Sequence, residues 1–433
     1  MPSLRVDSEQ RFTCAQCARC CTRPWEIVVT PVEAASYRQR NAAHWFRDTA
    51  NGHEGTDRDP FEPIAGTQGF HRIRKRDDGA CGFLSPANRC RLHEELGARA
   101  KPLTCRLFPF SFHAVDDTVA VTTSFACPTV VANEGEPIAA GRALEDVKGL
   151  GAEWFKAYPA RPAALQFVAG RRMDSPTLKV LRTSLLHLLA RADAAGRIDL
   201  RVNVVRMAQI LEDLSRPEVV RLKDDEFAEY VAITTPFAAK ADKPLVARAP
   251  SWSGRLMQRG FLFLTAATQL QIEHKRVSGS TTRLRLQAFK LLAHFHGMAP
   301  GVGTFDLRRL PVDGVDVNAP HLQPLVQHYL RSSIQTLGTG ARPALDELAV
   351  AVSSLNAACV LAAMKAAKTG GAVDRQVFSM ALVDAADVTH ADYGLVARFL
   401  GIFAAGVESL YAFGSRPALS AAEGLPAPGS RLP

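Results

Sequence analysis

The sequence predicts an α+β protein: a small cysteine-rich metal-binding module of short strands and turns, followed by a larger all-α domain. Three observations carry this. Eight of the nine cysteines fall between Cys14 and Cys127, and Cys359 stands alone far downstream. Residues 1–160 hold short β-branched runs broken by Gly, Asp and Pro turn signals. From about residue 175 onward, apolar residues instead recur at three- and four-residue spacing. The expected boundaries are 1–160 for the cysteine module, 170–413 for the helical domain and 414–433 for a disordered tail. That tail carries four prolines after Ser415.

In the first region, Trp25-Glu26-Ile27-Val28-Val29 reads as a strand. Thr30 then opens a helix in capping-box form, with Pro31 at the first helical position and Glu33 three residues on. Asn51 to Gly69, rich in Gly, Pro and Asp, reads as a loop. Phe70 to Arg76 is extended and turns at Asp78-Gly79, and Val119 to Phe125 is a further strand entered at Asp116-Asp117. In the second region Ser175-Pro176 starts a helix with Leu178, Leu181, Leu185, Leu188 and Leu189 on one face. Asp199 starts another, with Val202, Val205, Ile210, Leu211 and Leu214. Further helices are expected over 255–275, 281–296, 321–336, 344–367, 374–386 and 392–412. Nothing there alternates as a sheet would, and no internal repeat is present.

The chain has 433 residues, 47% hydrophobic and 22% charged, which is ordinary for a globular protein with a sizeable core. A net charge of +9 favours acidic partners in principle. There is no long basic run, however. The densest cluster, Arg72, Arg74, Lys75 and Arg76, meets Asp77 and Asp78 at once, and the aromatics are too scattered for base stacking. No nucleic-acid surface is expected. Met1 to Phe12 is polar, without the apolar stretch of a secretory signal. The most apolar window, Leu348 to Met364, is short and contains Ser353, Ser354 and Asn356, so it reads as a buried helix rather than a membrane span. The expected setting is cytoplasmic, with no membrane, and Cys359 is a core residue of that helix.

In a reducing compartment, eight clustered cysteines point to metal binding rather than disulfides. The first four, Cys14-x2-Cys17-x2-Cys20-Cys21, are followed by Cys81-Gly82-Phe83-Leu84, Cys90-Arg91-Leu92-His93, Cys105-Arg106-Leu107-Phe108-Pro109-Phe110 and Cys127-Pro128. Thiolates two residues apart on a tight turn can converge on one ion, as in zinc knuckles and iron–sulfur loops. Neighbouring side chains tend to diverge, so the Cys20-Cys21 doublet implies two sites, a polynuclear cluster, or one thiol that is not a ligand. The candidate ligands are Cys14, Cys17, Cys20, Cys21, Cys81, Cys90, Cys105 and Cys127, with His71, His93 and His113 as weaker candidates. Zinc and an iron–sulfur cluster both suit all-thiolate ligation, and the doublet tilts the reading toward the cluster. Arg106 can serve the sulfurs or an acidic ligand, or form a surface ion pair, and Phe108 and Phe110 can shield the centre.

The motif order and the flanking residues resemble the CxxCxxCC cysteine-cluster family, the YkgJ-type zinc- or iron-chelating proteins, over residues 12–130. The resemblance implies metal chelation rather than a defined reaction. It extends to the related flagellin lysine N-methylases (FliB-type), which are similar in length, have a long helical C-terminal region, and share features such as Trp25-Glu26-Ile27. Those proteins space their first cysteines more widely and follow the later one with Tyr-Pro-Arg, where this chain has Leu107-Phe108-Pro109-Phe110. The leading expectation is therefore a metal-chelating protein whose helices bind a partner or ligand. The methylase is the alternative, implying S-adenosylmethionine and a flagellin-like protein substrate. A redox or metal-homeostasis protein is the second alternative. No catalytic residue is singled out. Gly149-Leu150-Gly151 and Gly301-Val302-Gly303 read as loop punctuation, and no Walker loop, H-E-x-x-H or G-x-S-x-G occurs.

Overall fold

In the computed structural model, two three-stranded sheets organise the cysteine-rich part of the chain. The structure describes residues 3–23, 25–115, 118–157, 165–241, 296–299, 303–306, 315–339, 342–390 and 407–414. The strands are β1 (Ser3–Arg5), β2 (Val28–Val29), β3 (Phe61–Pro63), β4 (His71–Ile73), β5 (Phe110–Val115) and β6 (Thr118–Thr123). One sheet has the order β2-β4-β3, all antiparallel. The other has the order β1-β6-β5, with β1 parallel to β6 and β5 antiparallel to it. Between Trp25 and Val29 only the last two residues pair, and β3 lies inside the stretch 51–69 that composition marked as loop. Strands this short carry too few residues for a period-two signal.

The helices of this part are α1 (Arg19–Thr22), α2 (Pro31–Gln39), α3 (Arg91–Leu96), α4 (Leu103–Leu107), α5 (Pro128–Ala132) and α6 (Gly141–Ala157). The capping box at the start of α2 is formed as expected: Glu33 N–H donates to Thr30 Oγ1 at 3.2 Å and Thr30 N–H donates to Glu33 Oε2 at 2.8 Å. Helix α6 corrects the sequence reading, because Gly149 and Gly151 sit inside it rather than in a loop. Its apolar side, Val147, Leu150, Trp154 and Phe155, covers the second sheet through Phe112, Val119 and Val121. A Cβ on Gly151 would lie 3.0 Å from the Phe112 ring, so the glycine permits the close approach of helix to sheet.

Beyond a small β7–β8 hairpin (Gln166–Val168 and Arg171–Arg172) the chain is mainly helical. Helices α7 (Ser175–Leu189), α8 (Leu200–Leu214), α9 (Pro217–Val220), α10 (Asp224–Lys240), α11 (Gln323–Gln335), α12 (Ala344–Thr369), α13 (Arg375–His390) and α14 (Val407–Gly414) follow. Asp174 caps α7 by accepting from Thr177 N–H at 2.8 Å, and Asp199 caps α8 by accepting from Arg201 N–H at 3.0 Å. A second hairpin, β9 (His296–Ala299) with β10 (Gly303–Asp306), stands where the sequence showed no alternation, so Gly303 opens a strand and His296 ends no helix. The helices expected over 255–275 and 281–295, the first part of 392–412, the turn at Asp116-Asp117 and the tail after 414 lie outside the described residues.

One large core joins α7, α8, α10 and α11 to α14, and it takes in Phe125, Cys127, Val130 and Val131 from the cysteine-rich part. Helix α12 runs through it. Among the described residues α12 is the one helix long and apolar enough to cross a membrane, and 83% of its apolar window is buried inside the fold. Cys359 is buried within it, as expected of a core residue. The basic run of the first sheet is consumed internally. Arg72 pairs with Glu26 and Glu62, Arg74 with Asp48, and Arg76 with Asp78, while Lys75 donates to Arg23 O.

Candidate metal centre

The first cysteine loop reverses through two residues that carry a Cβ yet hold positive φ, Gln16 at 53° and Ala18 at 58°. Ala18 accepts from Cys21 N–H at 2.8 Å and Thr22 N–H at 3.1 Å, which starts the short helix α1. The doublet therefore lies on one helical turn, and Cys20 Sγ and Cys21 Sγ are 3.9 Å apart. Two sulfurs held at about 2.3 Å on one tetrahedral ion would be about 3.8 Å apart. The divergence expected of neighbouring side chains does not occur here, and the doublet has the spacing of two ligands on one metal atom.

Three further segments bring thiols to this turn. Cys81 N–H donates to Cys21 O at 2.8 Å, which ties the Cys81-Gly82-Phe83-Leu84 turn to α1. Leu84 bridges to Cys90, and Arg91 N–H donates to Phe83 O at 2.9 Å, so Cys90 returns beside Cys81 as the residue preceding α3. Cys105 lies on α4, whose start is fixed by Glu33. Its Oε1 accepts from Leu103 N–H at 2.7 Å while its Oε2 completes the cap of α2. Thr104 Oγ1 donates to Val28 O at 2.8 Å, adding β2 to the same anchor. Glu33 thus holds two helix starts at once. Glu33→Ala is expected to cost about 2 kcal/mol, from a lost cap and a lost charge-assisted hydrogen bond, measured by urea unfolding. A loss below about 0.5 kcal/mol would show that α4 is positioned by other means.

Cys81 belongs to a small aromatic core of Phe46, Phe61 and Phe83 with Ile73 and Leu92, and Cys21, Cys90 and Cys105 pack against that core. Phe46 meets Phe83 edge-on at 5.2 Å, and Phe61 stacks on Phe83 at 6.0 Å. Burial dominates the electrostatics. It pushes the Cys105 thiol far up, with Cys81 and Cys90 adding to the effect. Burial also raises Cys81 and Cys90. Cys20 is the exception: its hydrogen bond with Cys21 draws it down to about 6 against the effect of burial, while Cys21 itself is driven far up. Among the described residues two cations act on these thiols, Lys75 on Cys81 and Lys101 on Cys20, Cys90 and Cys105. Burial opposes the charge of Lys101, but Cys105, Cys14, Cys90 and Cys20 together outweigh that and raise its pKa.

The eight sequence candidates are thus sorted by place. Cys20, Cys21, Cys81, Cys90 and Cys105 converge: Cys21, Cys81, Cys90 and Cys105 each feel the charge of others in the group, and Cys20 is hydrogen-bonded to Cys21. Cys14 and Cys17 are exposed, and Cys17 feels Cys20 and Cys14. Cys127 precedes α5 and belongs to the large helical core, where burial pushes it up to about 11 and Cys17 adds to the shift. Among the described residues, no three Cys, His, Asp or Glu side chains already stand close enough together to hold an ion. Of the histidines, His113 pairs with Thr122 across β5 and β6 at 3.3 Å, His71 is on β4, and His93 is on α3, where its backbone N–H donates to Cys90 O at 3.0 Å. Arg106 takes the ion-pair option, bidentate to Glu153 at 2.9 and 2.6 Å, and also donates to Lys101 O at 3.0 Å. Phe108 packs edge-on to Trp25 at 4.7 Å and Phe110 to Phe12 at 5.3 Å. Lys101 went unread in the sequence, and of Glu33 only the capping role at α2 was legible there, not its hold on α4. Lys101 lies four residues before Cys105, and that spacing is the signal that could have found it.

Residues 13–128 match the model of the CxxCxxCC family, described as a putative zinc- or iron-chelating domain. This is the family that the motif order resembles. No curated protein and no solved structure matches the chain.

Proposed function

We propose that this protein chelates zinc or iron through Cys20, Cys21, Cys81, Cys90 and Cys105, and that its helical region serves a partner or ligand. Cys14 and Cys17 form the exposed rim of the centre. The observation that carries the reading is the packing of thiols from four separate segments against one small aromatic core, with a lysine ammonium near them. Buried cysteines acting as small apolar residues need neither the doublet at 3.9 Å nor the lysine. The donor set fits a thiolate-bound metal: four sulfurs complete a tetrahedral ion, and a fifth leaves room for a larger cluster. When bound, such a metal supplies a crosslink between segments and, if it is an iron–sulfur cluster, an electron site. The chain's own contribution is to exclude water with Phe46, Phe61 and Phe83 and to balance thiolate charge with Lys101.

The test is an absorption spectrum with elemental analysis on full-length protein purified without oxygen. A brown sample with a broad band near about 400 nm and several irons supports a cluster. A colourless sample with about one zinc supports a closed tetrahedral site. Protein that holds neither metal and takes up neither added zinc nor iron would overturn the proposal. Cys359→Ser and Cys127→Ser, both in the helical core, are each expected to leave metal content unchanged; loss of metal in either would move that thiol into the centre.

A further inference from the structure

A second anchor holds the cysteine doublet from a distant part of the chain. Asp384, on α13, is 3% exposed. Among the described residues its carboxylate receives three cations: Arg19, the first residue of α1, on Oδ1; Arg23, just beyond α1, on the same oxygen at 3.4 Å; and Lys365 of α12 on Oδ2 at 2.8 Å. The side chains of Arg19, Arg23 and Lys365 are 20%, 11% and 16% exposed, so these contacts are shielded from solvent and salt. Arg19 and Arg23 bracket Cys20 and Cys21 in sequence. The doublet therefore lies between two constraints: on one side the backbone bond from Cys81 to Cys21, on the other two arginines held by a carboxylate of the helical core.

We infer that Asp384 is a positioning residue for the metal centre: through Arg19 and Arg23 it fixes the α1 turn so that Cys20 and Cys21 face the thiols of Cys81, Cys90 and Cys105. The inference rests on the metal-chelating reading above. Its physical basis is that the loop is unfavourable by itself, with Gln16 and Ala18 at positive φ and only four residues of helix to hold the doublet. Groups that orient metal ligands without touching the metal change affinity by about 10–100-fold when removed. Asp384 belongs to that class by its contacts, although it lies more than 350 residues from the doublet in sequence.

The experiment titrates full-length, metal-free, reduced protein with zinc against a chromophoric chelator, and follows thermal unfolding of the same samples without metal. Asp384→Asn is expected to weaken zinc binding about 10–100-fold, with Asp384→Glu recovering part of the loss. Lys365→Met removes the partner that belongs to the helices alone. It is expected to lower the melting temperature while leaving zinc affinity within about threefold, a separation that a merely structural role for Asp384 would not produce. Should Asp384→Asn fail to fold, the double variant Arg19→Gln, Arg23→Gln keeps the Asp384–Lys365 pair and is expected to show the same loss of affinity. Wild-type affinity in that double variant, or equal loss of affinity in Lys365→Met, would overturn the inference while the chelation reading stands. Absence of zinc and iron binding in the wild-type protein would overturn both.

Discussion

Serine at both Cys81 and Cys105 is expected to abolish metal retention in the full-length protein and to unfold the cysteine-rich part. Both thiols border the aromatic core, Cys81 as a buried member and Cys105 packed against it. A serine hydroxyl does not ionise near neutral pH and cannot replace a thiolate ligand. Each hydroxyl also enters an apolar surrounding at a cost of about 1–3 kcal/mol where it finds no partner. The larger effect is the metal itself. Structural thiolate–zinc sites contribute about 10 kcal/mol or more to folding at neutral pH, and these two residues join the doublet to α4 and to the turn after β4. Elemental analysis should show no bound metal, and the unfolding transition of this part should disappear or fall by tens of degrees. Undiminished metal in the double variant would remove both residues from the ligand set and with them the proposed centre.

Gly82→Ala is expected to destabilise the same part by about 3 kcal/mol, at the upper end of overpacking costs. A Cβ built on Gly82 would lie 2.1 Å from the Phe46 ring. That ring is fully buried, contacts Phe83 edge-on, and has the Arg74 guanidinium 4.8 Å from its centre, so it has nowhere to retreat without moving Phe83 or the Arg74–Asp48 pair. The glycine after Cys81 is thus a steric requirement of the aromatic core, and the variant's urea midpoint should fall sharply. A shift equivalent to less than about 0.5 kcal/mol would mean that the ring relaxes freely.

Local signals were the readable ones. The Thr30-Pro31-Glu33 cap, the leucine face of α7 and the apolar run of α12 each depend on residues within a few turns of one another, and each is present in the structure. Helix α10 is not among the helices expected from the sequence. In the structure Pro236 lies within the helix, next to a buried Thr235 whose hydroxyl donates to Val231 O at 2.8 Å. Helix α6 was misread because Gly151 serves close packing on a sheet, which no local pattern announces, while Gly149 faces open space. At the centre, the grouping of cysteines was visible as a family-like motif, but their sorting was not. Cys127 joins the helical core because α5 docks there through Val130 and Val131 against residues far downstream in sequence, while it still feels the charge of Cys17.

The ion pair between Arg19 and Asp384 closes across 365 residues. During synthesis at about 5–20 residues per second, every thiol of the first region leaves the ribosome tens of seconds before its distal anchor exists. In that interval the α1 turn lacks its carboxylate anchor, and on the chelating reading any metal met before synthesis ends would be held by the local contacts of the cysteine-rich part alone.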